Sequence, residues 1–163
     1  MTRMRRLPPW VRVRLPAASD AALIRGRTYA KGLATVCREA RCPNQGECSA
    51  RGTATFLILG DSCSRNCTFC AIRHGAPQPV SLDEPEVVAE SVAAMRLRHA
   101  VVTSVARDDL FDGGAAQFAR TIRAIRDKSP GTTVEVLIPD FQGCHTALQT
   151  VMDAQPDVIN HNL

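Results

Sequence analysis

The chain has 163 residues, of which 45% are hydrophobic, 22% charged and 4% aromatic, and its formal net charge is +4. This composition is that of an ordinary globular protein of about one domain, and it excludes a disordered or collagen-like chain. No apolar run approaches the ~20 residues that a membrane-spanning helix needs. The few aromatic residues also exclude a surface that stacks nucleic-acid bases. We therefore expect neither a membrane nor a nucleic acid as a partner.

The first 31 residues are strongly basic. They hold eight Lys or Arg residues and one acidic residue, Asp20, whereas the other 132 residues hold 12 basic and 15 acidic ones. Such an arm either steers toward an acidic partner or is simply a solvated tail. It is rich in Arg like an organellar transit peptide, but it is poor in Ser, and residues 10–15 alternate as an extended segment rather than an amphipathic helix. We therefore expect a cytoplasmic protein.

Six of the seven cysteines fall between positions 37 and 70 and form two groups of three. The groups are Cys37, Cys42 and Cys48, spaced C-x4-C-x5-C, and Cys63, Cys67 and Cys70, spaced C-x3-C-x2-C. An odd cysteine count without a secretory signal argues against a disulfide framework. Zinc would favour two C-x2-C pairs, and only Cys67 and Cys70 have that spacing, with His74 as an alternative fourth ligand.

Three thiolates per group suit an iron–sulfur cluster better than a zinc ion. A 4Fe–4S cube normally takes four cysteines, so a group of three leaves one iron open to a substrate or cofactor. The segment from 63 to 70 is short enough to hold three corners of one cube. Arg65 would add positive charge beside the anionic cluster, and Phe69 would help to exclude water. The seventh cysteine, Cys144, belongs to neither group and is predicted to be a small, partly buried hydrophobe.

Strands and helices alternate along the rest of the chain. Runs of β-branched and apolar residues predict strands over residues 53–59, 100–105, 133–138 and 157–160. Asp83 is the predicted N-cap of the first helix. In the first predicted helix, Val88, Val92 and Met95 form a stripe at helical spacing that we interpret as core. In the second, Phe118, Ile122 and Ile125 share one face, and Leu148, Val151 and Met152 mark the third. This β-α-β-α-β-α-β order predicts a parallel sheet with right-handed crossovers.

Polar residues collect at the carboxyl ends of the predicted strands, where parallel β/α proteins keep their functional groups. These segments are Cys63–Cys70, Thr103–Asp109, Pro139–Phe141 and Asn160–Asn162. Within the second of them, Arg107, Asp108 and Asp109 either shape a pocket or pair with one another. One edge of the sheet therefore collects both the second cysteine group and most candidate polar residues.

Two further features have open interpretations. Gly113 and Gly114 either permit a close approach of the backbone or form a helix-entry turn. Glu135 lies inside the third predicted strand, where it needs a partner if it points inward and is merely solvated if it points outward.

Several motifs together resemble the lipoyl synthase family of radical S-adenosylmethionine enzymes. The C-x3-C-x2-C group with Phe69 before its last cysteine is typical of the radical enzymes. The finer match is carried by residues 34–44, 46–48, 52–56, 103–105, 107–110, 112–114, 139–141 and 160–163. The resemblance implies an α/β fold, a partial (β/α) barrel of about four parallel strands over residues 53–163. Residues 1–52 would be a cysteine-bearing extension.

The resemblance also implies a reaction. The family inserts two sulfur atoms at carbons 6 and 8 of an octanoyl chain on a lipoyl carrier domain or glycine-cleavage H protein, using S-adenosyl-L-methionine, two 4Fe–4S clusters and an electron donor such as ferredoxin or flavodoxin. Cys63, Cys67 and Cys70 would hold the cluster that cleaves the cofactor. Cys37, Cys42 and Cys48 would hold an auxiliary cluster that supplies sulfur. Candidate cofactor-binding residues are Thr103, Ser104, Asp108, Glu135, Asn160 and Asn162.

One departure from the family concerns the auxiliary cluster. Its serine ligand comes from an Arg-Ser-Ser segment that this sequence lacks, so the fourth ligand is unassigned. The chain also ends on its fourth predicted strand, whereas a full (β/α)8 barrel runs to ~250 residues. We therefore expect the N-terminal half of such an enzyme. The alternatives are a biotin-synthase-like enzyme, an inactive fragment, and a non-catalytic iron–sulfur or zinc-binding module.

Overall fold

The computed structural model describes residues 45–68 and 70–162. In chain order the elements are α1 (Gln45–Ala50), β1 (Thr53–Ile58), β2 (Ser62–Cys63), β3 (Arg73–His74), α2 (Glu84–Met95), β4 (His99–Ser104), α3 (Ala115–Lys128), β5 (Thr133–Ile138), a 3-10 turn (Phe141–Gly143), α4 (His145–Asp153) and β6 (Val158–His161). None of the described helices is long and apolar enough to span a membrane.

Four strands form a parallel sheet in the order β1-β4-β5-β6. The pairing of β1 with β4 runs from Thr53 opposite His99 to Ile58 opposite Ser104. Helices α2, α3 and α4 connect successive strands, so the predicted alternation and the parallel sheet are confirmed. A separate two-stranded sheet, β2 with β3, was not predicted, and it joins the two ends of the segment that holds the second cysteine group.

The core lies between the sheet and its helices. Alternate strand residues such as Phe56, Val102 and Val136 are fully buried on the face that the helices cover. The residues between them, including Val101 and Glu135, lie half-buried on the opposite face. The sheet therefore has one apolar face against helices and one mixed face.

The predicted helix stripes are largely confirmed. Their fully buried members are Val88, Val92, Phe118, Ile122, Ile125 and Val151. The third helix, marked by Leu148, Val151 and Met152, is also present. Met152 is 48% exposed, because it is adjacent to the buried Val151 and lies about 100° around the helix from it. Asp83 does occupy the N-cap position of α2, but its side chain makes no capping hydrogen bond.

Gly113 and Gly114 satisfy both of their interpretations. They form the entry to α3, where the Asp112 carboxylate accepts hydrogen bonds from the Gly114 and Ala116 N–H groups at 2.9 and 2.7 Å. They also approach other segments closely. An added Cβ would lie 2.2 Å from Cδ1 of Leu59 at position 114.

We expect Gly114→Ala to lower the free energy of unfolding by about 2–3 kcal/mol, because it combines overpacking with a backbone φ of +92°. Urea unfolding of the purified chain measures the change. Gly131→Ala is the matched control, since a Cβ there meets nothing within 4 Å, and it should change stability by less than about 0.5 kcal/mol. Equal effects of the two substitutions would show that the close approach has no energetic weight.

Candidate functional site

The chain leaves β1 through a strained turn. Leu59 is buried and has a φ of +68°, a conformation that needs support from its surroundings. Its N–H donates to both carboxylate oxygens of Glu84, at 3.0 and 2.9 Å. Its carbonyl accepts from Nη1 of Arg107 at 3.3 Å. These contacts direct the chain into the cysteine loop, by which we mean residues 63–70.

Arg107 is only 3% exposed. Its Nε and Nη2 donate to the two carboxylate oxygens of Asp109, at 2.9 and 2.8 Å. Hydrogen bonding to this carboxylate raises the pKa of Arg107 and lowers that of Asp109. Arg107 and Asp109 therefore pair with each other, while Asp108 turns toward the cysteine loop.

The guanidinium of Arg65 lies between two carboxylates. Its Nε and Nη2 each donate to Asp108 at 2.7 Å, and its Nη1 and Nη2 donate to Asp140 at 2.9 and 2.8 Å. These hydrogen bonds hold the pKa of Asp108 well below its usual range, lower that of Asp140 to about 2, and raise that of Arg65. The positive charge expected at Arg65 is thus offset by two negative ones.

Backbone hydrogen bonds fix the start of the cysteine loop. The Ser64 N–H donates to the Ala106 carbonyl at 3.1 Å, and the Ala106 N–H donates to Sγ of Cys63 at 3.2 Å. A second N–H, that of Arg65, points at the same sulfur at 3.4 Å. Hydrogen bonds to cysteine sulfur are a feature of iron–sulfur sites, where they tune the reduction potential.

The other two thiols of the loop are exposed. Cys63, Cys67 and Cys70 are all free, and the Cys70 N–H donates to the Cys67 carbonyl at 3.0 Å. Within residues 45–68 and 70–162, no three potential metal-ligating side chains converge closely enough to hold an ion. The match to a cluster therefore rests on the chemistry of the donors: three free thiols lie on one short segment, and N–H groups point at the sulfur of Cys63. The thiols need not converge before a metal binds, because metal binding and local folding are coupled.

Of the first cysteine group, the structure describes only Cys48. Cys48 lies in α1 and is half-buried. Cys37 and Cys42 lie outside the described residues, as do Phe69 and the basic arm. The auxiliary cluster therefore stays a prediction.

Thr103 and Ser104 end β4 on opposite faces of the sheet. The Thr103 hydroxyl donates to the Leu137 carbonyl at 2.9 Å. Oγ of Ser104 is buried, and it has no hydrogen-bond partner among the residues that the structure describes. Ser104 therefore keeps an unused polar group at the carboxyl end of β4, whereas the hydroxyl hydrogen of Thr103 is taken.

Glu135 points to the face of the sheet away from the helices. Its Oε2 lies 2.8 Å from Nε2 of His99, and its Oε1 accepts from Nδ2 of Asn160 at 2.6 Å. Asn162 is exposed beyond the end of β6. Glu135 is thus paired rather than merely solvated, and its pairing with His99 had no signal in the sequence because the two residues are 36 positions apart.

A cavity of about 190 Å³ lies between the segments that follow β4 and β5, and Arg107, Asp108, Phe141 and Cys144 contribute to its wall. Phe111 stands at this cavity fully exposed. Cys144 is half-buried and packs against the core, as predicted. A hydrogen bond from the Thr146 hydroxyl lowers the pKa of its thiol.

Comparison with known proteins reveals close relatives. The lipoyl synthase of Nitratidesulfovibrio vulgaris is 57% identical over 158 residues, which are 97% of this chain and 53% of the relative. The lipoyl synthase of Symbiobacterium thermophilum is 58% identical over 158 residues, which are 97% of this chain and 49% of the relative. Over nearly its whole length this chain is similar to lipoyl synthases. The lipoyl synthase of Thiobacillus denitrificans is 52% identical over 159 residues, which are 97% of this chain and 51% of the relative. No protein-family model matches the chain.

The chain spans about half the length of the curated relatives it matches. A match over 158 of 163 residues includes both cysteine groups. The resemblance seen in the motifs is therefore confirmed. The described α/β fold, with its four parallel strands and three crossover helices, is consistent with part of a barrel of this family.

Proposed function

We propose that this chain is the cluster-bearing part of a lipoyl synthase. Residues 53–163 would form part of a radical-type (β/α) barrel, and residues 1–52 an extension with the auxiliary cluster. The whole enzyme would insert two sulfur atoms, at carbons 6 and 8 of a protein-bound octanoyl group. The observation that carries this proposal is the high identity to lipoyl synthases over nearly the whole chain, together with a free-thiol loop at the carboxyl ends of β1, β4 and β5.

Cys63, Cys67 and Cys70 would hold a 4Fe–4S cluster through three corners. When bound, such a cluster supplies one electron to S-adenosyl-L-methionine at the iron that lacks a protein thiolate. The protein holds Cys63 in place through the N–H groups of Ala106 and Arg65. The exposed positions of Cys67 and Cys70 leave that side of the loop open to a cofactor and an electron donor.

The polar residues at the strand ends support cofactor binding to different degrees. The buried, unpartnered hydroxyl of Ser104 has capacity to bond a polar group of the cofactor. Glu135 and Asn160 already bond each other, yet a carboxylate has about four acceptor positions and can also accept from a ribose hydroxyl. Thr103 and Asn162 stay in the proposed set. Asp108 would act through Arg65 and the loop rather than by touching the cofactor.

The partners follow from the reaction. They would be octanoylated lipoyl carrier domains or glycine-cleavage H protein, and a ferredoxin or flavodoxin as the electron donor. The site of action would be the cytoplasm. Cys37, Cys42 and Cys48 would hold the second cluster, with sulfur supply as its role.

Anaerobic reconstitution tests the proposal. In a full-length protein that includes this sequence, we expect about eight irons per chain with matching sulfide, four for each cluster. Incubation with an octanoylated carrier peptide, S-adenosyl-L-methionine and reductant should yield, by mass spectrometry, a peptide in which two sulfurs have replaced two hydrogens. About four irons without that product would favour a non-catalytic module, and zinc without sulfide would favour the zinc site that includes His74.

A further inference from the structure

We propose that Arg65, Asp108 and Asp140 form a clamp that positions the cysteine loop on the carboxyl ends of β4 and β5. None of the three is a cluster ligand, so they are positioning residues. Arg65 and Asp108 are 43 positions apart in the sequence, and Arg65 and Asp140 are 75 apart. A single side chain from the loop thus ties together the segments after two neighbouring strands.

The shape of the guanidinium explains why an arginine occupies this position. Asp108 sits on the edge formed by Nε and Nη2, and Asp140 sits on the edge formed by Nη1 and Nη2. Four N–H groups in one plane therefore meet four carboxylate oxygens. The compact ammonium of a lysine carries the same charge but cannot present two such edges. The geometry, rather than the charge alone, defines the clamp.

Asp140 and Asp108 are each held by a further hydrogen bond on their own side of the clamp. Oδ1 of Asp140 accepts the Gln142 N–H at 2.9 Å, which orients it at the 3-10 turn. The Asp108 N–H donates to the Ser64 hydroxyl at 3.2 Å, and that hydroxyl lies 3.0 Å from the Ala106 carbonyl. The clamp thereby connects to the backbone around Ala106, whose N–H donates to Cys63.

Opening of the clamp should therefore loosen Cys63. Without the Arg65 side chain, the start of the loop keeps the pairing of Cys63 with His74 and the Ala106 N–H bond to Cys63. Beyond these it has the contacts of Ser64 with Ala106 and Asp108, which are exposed to water. Cys63 would then spend more time away from the Ala106 N–H and become more reactive. The positioning role is argued from the contacts of Arg65, and it rests on the proposed function in one respect: that function identifies the group that the loop binds.

Thiol alkylation of the reduced, cluster-free 163-residue chain tests the clamp directly. Rates at each cysteine are measured with iodoacetamide and peptide mass spectrometry at several pH values, so that the rate constant of the thiolate itself is compared. We expect Arg65→Leu and Arg65→Lys to raise the Cys63 rate about 5- to 10-fold, because local opening becomes more frequent. Asp140→Asn, which is remote in sequence, should raise it by a smaller factor. Cys144 in the same molecule should be unchanged.

The matched control is Arg73→Leu, which removes an exposed ion pair with Asp61, 2.8 Å long, on the neighbouring strand β3. It should leave the Cys63 rate unchanged. The clamp would be disproved if Arg65→Leu stayed within twofold of the parent, or if Arg73→Leu had an equal effect. A parent-like Arg65→Lys would overturn the role of the guanidinium geometry.

A second measurement links the clamp to the cluster. After anaerobic reconstitution, iron loss to excess EDTA should be several-fold faster in Arg65→Lys than in the parent or in Arg73→Leu. Equal rates of iron loss would contradict the clamp. A chain that takes up no iron–sulfur cluster at all, but shows the expected alkylation rates, would refute the proposed function and leave the clamp standing.

Discussion

Replacement of Cys63, Cys67 or Cys70 by alanine is expected to abolish reductive cleavage of S-adenosyl-L-methionine. Each residue supplies one of only three thiolates on the cysteine loop, and the ligands of one cluster act as a unit. In a full-length protein that includes this sequence, the yield of 5′-deoxyadenosine should fall below about 1% of the parent value. Iron should fall from about eight to about four per chain, since only one cluster is lost. Chromatography of the products and iron analysis measure both quantities.

Cys144→Ala is the control for this experiment. Its thiol lies 3.1 Å from the Thr146 hydroxyl and packs against the core, away from both cysteine groups in the sequence. It should retain both iron and cofactor cleavage. Parent-like 5′-deoxyadenosine from any variant of the loop cysteines would mean that the assignment of the radical cluster is wrong.

Replacement of Cys37, Cys42 or Cys48 by alanine should separate the two steps of the proposed reaction. Cofactor cleavage should continue at a rate similar to that of the parent, because the cluster proposed for residues 63–70 would keep its ligands. Sulfur insertion into an octanoylated carrier peptide should stop, since the proposed sulfur donor is lost. Iron should again fall to about four per chain.

The test depends on comparing the variants of the first cysteine group with those of the second. Both sets lose the same amount of iron, so a difference in 5′-deoxyadenosine between them reports on which cluster does which step. A Cys48→Ala protein that still formed the disulfur product would show that the first cysteine group is not the sulfur source. Loss of cofactor cleavage in both sets would show that the two clusters do not act separately.

The spacing of apolar residues predicted most of the fold. β5 has the predicted bounds, and β1 and β4 differ from prediction by one residue at their ends. These elements arise from local patterns, because strand and helix periodicity depend on neighbours a few positions away. The N-cap position of Asp83 and the helix marked by Leu148, Val151 and Met152 follow from the same local patterns.

The sequence by itself determined the chemistry that this protein carries: two groups of three cysteines, one of them directly after a buried strand, in a chain of alternating strands and helices. It also indicated that polar residues would meet at the strand ends, because parallel strands present their carboxyl ends on one edge. Only the tertiary structure decided the pairs. Asp108 and Asp140 share Arg65, and His99 pairs with Glu135. Such contacts join residues 36 to 75 positions apart, and their distances depend on strand register and turn geometry, which no local pattern encodes.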